Sequence, residues 1–320
     1  MAVTELRPTM SRLTRLCSVN GRQRLAILAL VVLVLSAGCL GLGDSDGDDP
    51  EMDDNGTQDD PGGEANSTNG GSAELELPAT ADEWQSQFDG IDPGGDADAD
   101  ALASDVVETI DGVESYEFDR ATVTEQQSGG DVTETTTEQS VRVDVTNERA
   151  AYTLTATQGD REGEGEGYLA DLTIYERTTE DGNLSETEWV KQEVGANYED
   201  YFQQLHPLGG FGTVLEDSSV AVVGTATVGG ADTTVLSVNA SADALAAATG
   251  VNAAEAAEET RLLLWVDQES GEVRRAASYT RLSQTQGDDE MQTIIVNDYR
   301  FEFVPVDFEI PEEALNADSA

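Results

Sequence analysis

Chemistry by side chains needs a nucleophile, a base or a set of metal donors, and this chain is short of three residue types that often supply them. Its only histidine is His206, its two cysteines are Cys17 and Cys39, and Lys191 is its one lysine. A Ser-His-Asp or Cys-His arrangement would have to use His206. That residue stands directly before Pro207 at the end of an expected helix, where a cap or loop role is commonplace. No Gly-rich phosphate loop or histidine cluster occurs. Asp44, Asp46 and Asp48 have the spacing of a calcium loop, but the sixth place lacks Gly and the twelfth lacks Glu. Asp96, Asp98 and Asp100 read as the acidic lead-in to a helix. Carboxylate pairs of the kind glycoside hydrolysis uses are uninformative among 65 acids. The expectation is a non-enzymatic protein with no cofactor and no metal site.

The cysteine that carries information is Cys39. It closes the stretch Leu25 to Cys39, LAILALVVLVLSAGC, with Arg22 and Arg24 in front. Eleven uninterrupted apolar residues, Leu25 to Leu35, cover about 16 Å as a helix, roughly half a hydrocarbon core of ~30 Å. The stretch is therefore expected to be cleaved rather than to span. Ser36-Ala37-Gly38-Cys39 resembles the lipobox of prokaryotic lipoproteins, although Ser36 stands where Leu is commonest. The resemblance implies a signal peptide (1–38) cut between Gly38 and Cys39, with a lipid on Cys39. One acyl chain binds only marginally, so a two-chain lipid is expected. The protein would then sit on the extracellular face of the cell membrane. Arg22-Gln23-Arg24 is not an Arg-Arg pair, so twin-arginine export is not indicated.

Sixteen basic residues face 65 acidic ones, a net charge of −49. Five of the sixteen and one of the 65 precede the cut, so the remainder carries −53. Self-repulsion on this scale strains a compact fold at ~0.15 M salt, where the Debye length is ~8 Å; at 1 M it falls to ~3 Å. Acid-rich, lysine-poor composition resembles that of proteins from extreme halophiles. It also makes nucleic acid and anionic membrane surfaces poor partners. Residues 39–73 combine Asp runs with Gly pairs and read as an extended tether. Asn55, Asn66, Asn183 and Asn239 head Asn-x-Ser/Thr sequons and are candidate glycosylation sites.

Residues 74–316 are expected to fold as one domain, with a frayed tail at 317–320. Helical spacing predicts helices over 101–110, 196–205 and 241–258, with Ser241 as an N-cap. Period-two alternation predicts ten strands, at 113–123, 132–145, 151–157, 165–178, 188–194, 219–228, 232–239, 262–267, 273–282 and 291–304. Gly209-Gly210-Phe211-Gly212 is expected to be an apolar loop. Short turns between successive strands imply antiparallel pairing and the α+β class.

Apolar residues concentrate on one face of the last strand: Met291, Ile295, Tyr299, Phe301 and Phe303. Trp265 and Tyr279 lie on neighbouring predicted strands, and Tyr201, Phe202 and Phe211 stand where a helix and loop could cover the sheet. Two readings are open, a partly filled curved sheet with an apolar cavity or an ordinary filled core. Leu262-Leu263-Leu264-Trp265-Val266-Asp267, Gly271-Glu272-Val273-Arg274-Arg275 and the ending Phe303-Val304-Pro305-Val306 to Ile310-Pro311 resemble the lipoprotein-carrier superfamily (LolA, LolB and LppX types). The resemblance implies a half-barrel of antiparallel strands with two or three helices on its concave side. It also implies binding of a lipid or acyl chain. The expectation is a monomeric, lipid-anchored cell-envelope protein that carries an apolar ligand. The alternative is an envelope interaction protein of the same fold with a filled interior.

Overall fold

The computed structural model describes residues 97–319 apart from 129–130, 181–183, 250–256 and 287–288. The expected signal peptide, Cys39, the tether and the sequon residues Asn55, Asn66 and Asn183 lie outside the described residues. In chain order the elements are α1 (Ala97–Asp111), β1 (Ser115–Ser128), β2 (Asp131–Asp144), β3 (Arg149–Gln158), β4 (Arg161–Ala170) and β5 (Thr173–Glu180). Then come β6 (Val190–Glu193), α2 (Tyr198–Gln204), α3 (Pro207–Asp217), β7 (Ser219–Val228) and β8 (Ala231–Asn239). The rest are α4 (Ala242–Thr249), β9 (Ala257–Asp267), β10 (Val273–Gln286), β11 (Asp289–Glu302) and α5 (Glu312–Leu315).

Among the described residues the strands form one open, curved antiparallel sheet in the order β6-β5-β4-β3-β2-β1-β11-β10-β9-β8-β7. The chain meanders from β1 out to the β6 edge, crosses through α2 and α3 to the β7 edge, and meanders back to β11. The first and last strands therefore pair at the centre, from Glu117 opposite Glu302 to Ser128 opposite Met291. The α1, α3 and α4 helices pack together, with α1 also on β7 and α4 on β9. They cover one face of the sheet, here called the inner face.

Pleating sends alternate residues to opposite faces. On β1 the inner set is Tyr116, Phe118, Arg120, Thr122; on β2 it is Val143, Val141, Gln139, Thr137. Strand β4 gives the plainest example. In Arg161-Glu-Gly-Glu-Gly-Glu-Gly167 the glycines share the inner face with Leu169, and Glu162, Glu164 and Glu166 face away. The β7 edge is interrupted by a register shift between Val222 and Gly224, which makes it a poor template for pairing with another chain.

Three expectations need correction. The single strand predicted over 165–178 is the β4–β5 hairpin, turning at Asp171 and Leu172 with φ of 51° and 63°. No glycine or asparagine announces that turn, so the count rises from ten to eleven. Gly209 to Gly212, expected as a loop, lie inside α3. A Cβ on Gly210 would stand 2.5 Å from the Ala248 Cα, so glycine lets α3 and α4 touch. Interhelical packing outweighs a helix-propensity deficit of ~1 kcal/mol per glycine. The helix predicted over 241–258 is described only for Ala242–Thr249, and Ala257 already pairs with Leu282 as part of β9. Ser241 does cap α4, its Oγ accepting the Ala244 N–H at 3.1 Å. At the far end Ser319 bridges to Lys191 of β6.

Candidate ligand-binding face

The inner face where β1 meets β11 is built of rings. Alternation delivers Tyr116 and Phe118 from β1 and Tyr299 and Phe301 from β11, with Phe118 directly opposite Phe301. Tyr116 stacks on Phe118 at 5.9 Å between centroids, and Tyr299 on Phe301 at 6.1 Å and 6°. Above them Phe211 of α3 meets Tyr299 edge-on at 5.4 Å and Phe301 at 6.4 Å. Phe303 joins at 6.2 Å from Tyr116. Phe202 of α2 reaches the patch through His206, which lies 5.4 Å from Phe202 and 5.7 Å from Tyr116.

His206 is a wall of this patch. Its Nδ1 is 2.9 Å from the Tyr116 hydroxyl. The Leu208 N–H at the start of α3 also approaches that hydroxyl, and in the neutral tautomer that carries its proton on Nε2 the imidazole accepts the Tyr116 O–H at Nδ1. On the other side a Cβ at Gly209 would fall 2.8 Å from His206 Nε2. Shut away from water, the imidazole is pushed down to a pKa of about 4. Burial pushes the Tyr116 phenol well up. It also raises Tyr299, an effect the nearby Arg120 guanidinium opposes. At neutral pH these groups are uncharged, whereas Arg120 brings a buried charge beside them, which a neutral apolar surface does not explain.

The ten residues expected at a cavity divide three ways. Tyr299, Phe301, Phe211 and Phe202 are buried in one cluster, and Tyr201 and Phe303 pack against it half-buried. Ile295 and Met291 share that face further along β11, opposite Thr280 and Gln284. Trp265 and Tyr279 are on the outer face, in a second cluster with Val235, Leu263, Ala277, Ile294 and Val296. Residue parity places them there: Tyr279 is opposite Val296, an even-numbered position, while the ring patch uses odd positions of β11. Arg275 covers Trp265, its guanidinium 4.5 Å from the ring, and is ion-paired to Asp298 at 2.5 Å. Sequence reasoning missed Tyr116, Phe118 and Arg120, although their period-two spacing was the available signal.

Two clefts are described, and neither is lined by the ring patch. One, of about 380 Å³, is bordered by outer-face residues including Asp119, Glu138, Ser140, Thr153, Asp298 and Arg300. Its lining also includes Arg120, Gln139 and Leu154, which alternate with those residues along β1, β2 and β3. The other, of about 570 Å³, lies between α1 and the end of α3 and is rimmed by Asp100, Glu108, Asp111 and Glu216. Among the described residues no group of three or more His, Cys, Asp or Glu is placed to hold a metal ion, and no helix is long and apolar enough to cross a membrane. Asn239 is exposed at the end of β8.

No model of a known protein family and no curated protein matches the chain. Among solved structures it is similar to LprF from Mycobacterium bovis, at 14% identity and a TM-score of 0.44, over 69% of this chain and 99% of that one. It is similar to the lipoprotein LppX from Mycobacterium tuberculosis at 16% identity and a TM-score of 0.37, over 65% and 98%. A LolA-superfamily protein from Nitrosomonas europaea is similar at 13% identity and a TM-score of 0.25, over 65% and 94%.

Proposed function

We propose that this is a lipid-anchored extracytoplasmic lipoprotein, held to the membrane through Cys39, that binds an apolar ligand between the inner face of its sheet and the helices covering it. One observation carries the ligand reading: seven of the chain's eighteen Phe, Tyr and Trp residues converge on one contiguous inner patch. Such a density of large apolar rings under a small helical layer suits an apolar guest, with the helices moving aside to admit it. The test is to purify the protein in high salt, extract it and examine the extract by mass spectrometry, then titrate a fluorescent fatty acid. Saturable probe binding that Phe211→Ala weakens is the expected result. No co-purified apolar molecule together with no probe binding refutes it.

A second reading is favoured by the tightness of the same patch, since Phe211 and Tyr299 are both fully buried. On that reading the patch is a filled core and the molecule acts through its surface, without a ligand. The titration separates the two. The anchor is tested by Cys39→Ser, which should release the protein from membranes; a variant retained there at full precursor mass refutes lipidation.

A further inference from the structure

The row of residues next to the ring patch departs from everything around it. Across the inner face, Tyr299, Arg120 and Gln139 stand opposite one another on β11, β1 and β2. Arg120 is only 7% exposed. Among the described residues Arg120 Nε, Gln139 Oε1 and Tyr299 Oη are buried without a hydrogen-bond partner, although the Arg120 guanidinium is near enough to Tyr299 to favour its ionised form. The row beyond is satisfied, because Thr122 donates to Asn297 at 2.8 Å and Asn297 donates to Ser278 at 3.1 Å.

Arg120 makes no ion pair among the described residues, in a chain with 65 acids. The flanking rows bring no carboxylate to it: one carries Phe118, Val141 and Phe301, the other Thr122, Thr137 and Asn297. Asp119, Glu138 and Asp298 are near in the sheet but point to the outer face. The contrasting buried arginine, Arg275, has Asp298 at 2.5 Å. The Arg120 guanidinium lies 6.0 Å from the Tyr299 ring centroid, the outer limit of a cation–π contact, which compensates little for desolvating a full charge. A buried guanidinium normally keeps a counter-anion, and here the described residues supply none.

We propose that Arg120, Tyr299 and Gln139 form an oxyanion site on the inner face that takes the acidic head of an amphiphile, its tail lying on the Phe118–Phe301 rings one row away. The guanidinium and the Tyr299 hydroxyl donate to the anion, and the Gln139 amide does so after a half-turn that exchanges its oxygen and nitrogen. This deepens the apolar-ligand reading and rests on it, with a carboxylate or phosphate head as the shared chemistry.

The experiment compares palmitate, hexadecanol and inorganic phosphate on the full chain and on Arg120→Met and Arg120→Lys. Palmitate is expected to bind at least about tenfold more tightly than hexadecanol. Arg120→Met should abolish that preference, keep hexadecanol binding, and raise the unliganded Tm by roughly 2–8 °C because a buried unpaired charge is gone. Arg120→Lys should restore part of the preference. Equal binding of both probes by the native chain, or an intact preference in Arg120→Met, overturns the oxyanion site and leaves the apolar-ligand reading standing. If neither long-chain probe binds, that reading fails. Phosphate raising the Tm of the native chain but not of Arg120→Met would then keep the site as one for a free anion, and no phosphate effect would overturn it too.

Discussion

Lowering the pH from about 7.5 to about 4.5 should cost the native state about 2.5 kcal/mol through His206 alone. The imidazole has an ordinary value of 6.5 and is pushed down to about 4 in the folded chain, with burial as the cause. The unfolded chain therefore takes up the proton first as pH falls. Stability held above pH ~6.5 is lost progressively down to pH ~4, with a ceiling of about 3.4 kcal/mol at 1.36 kcal/mol per unit. The structure supplies the reason: the ring is shut between Tyr116, 2.9 Å from Nδ1, and the Gly209 backbone on its Nε2 side, so an imidazolium there would be stripped of water. The assay is urea unfolding at fixed high salt across this pH range, for the native chain and for His206→Gln. Burial raises Glu176 and Asp298, but these groups titrate in both proteins and cancel in the difference. Two profiles that stay parallel within about 0.5 kcal/mol would refute the argument, because the imidazole would then titrate alike folded and unfolded.

Gly210→Ala should destabilise by about 1–3 kcal/mol, since its Cβ would press into the Ala248 backbone, whereas Gly212→Ala should stabilise by up to ~1 kcal/mol. At Gly212 the new methyl meets the Ile110 side chain at an ordinary 3.6 Å, and paired thermal melts check both signs. Arg275→Met should cost about 3–5 kcal/mol by leaving Asp298 buried with only Arg300 beside it at 3.6 Å. The double change with Asp298→Leu should recover most of that loss, and a double variant as unstable as the single one would contradict the ion-pair account. Raising potassium chloride from about 0.15 M to about 2 M should raise the Tm as the Debye length shrinks below ~3 Å. A flat or falling Tm would mean that the acids do not strain the fold.

Class and the hairpin-linked runs were legible because a meander leaves its mark locally: each β-strand carries its own alternation and most turns carry Gly, as Gly229-Gly230 does with φ of 58° and 87°. The expected single meander is instead two runs joined by β1 against β11, with β6 and β7 at opposite edges. What was not legible depended on partners distant in sequence. The Asp171-Leu172 turn uses side chains that ordinarily avoid the left-handed region, so the strand seemed continuous. The glycines of α3 carry a loop signal locally, and their reason, Ala248 packed against Gly210, lies in another helix. For the site, the run Met291 to Phe303 revealed its own face but not which neighbours shared it. Trp265 and Tyr279 share a sheet with that run and occupy the other side of it, a matter of register parity that hydrophobicity cannot decide.

The charge pattern and the ligand site are one problem seen from two sides. Alternation along β1, β2, β4 and β11 sends Glu117, Asp119, Glu138, Glu164, Glu166 and Asp298 to the outer face. The same alternation leaves the inner positions opposite them to rings, glycines, hydroxyls and Arg120. A chain of net charge −49 thereby encloses a surface on which the buried Arg120 makes no ion pair among the described residues. The glycine run of β4 contributes to this separation, because residues without side chains leave the inner face shallow where the glutamates crowd the outer one. An acidic exterior is thus compatible with the proposed inner-face site for the head of an acidic amphiphile, since the sheet lies between the two fields. The same separation predicts where tolerance to substitution ends: exchanging acids along the outer positions alters solubility, whereas one carboxylate placed opposite Arg120, as in Gln139→Glu, would neutralise the guanidinium from within and close the site to any anion.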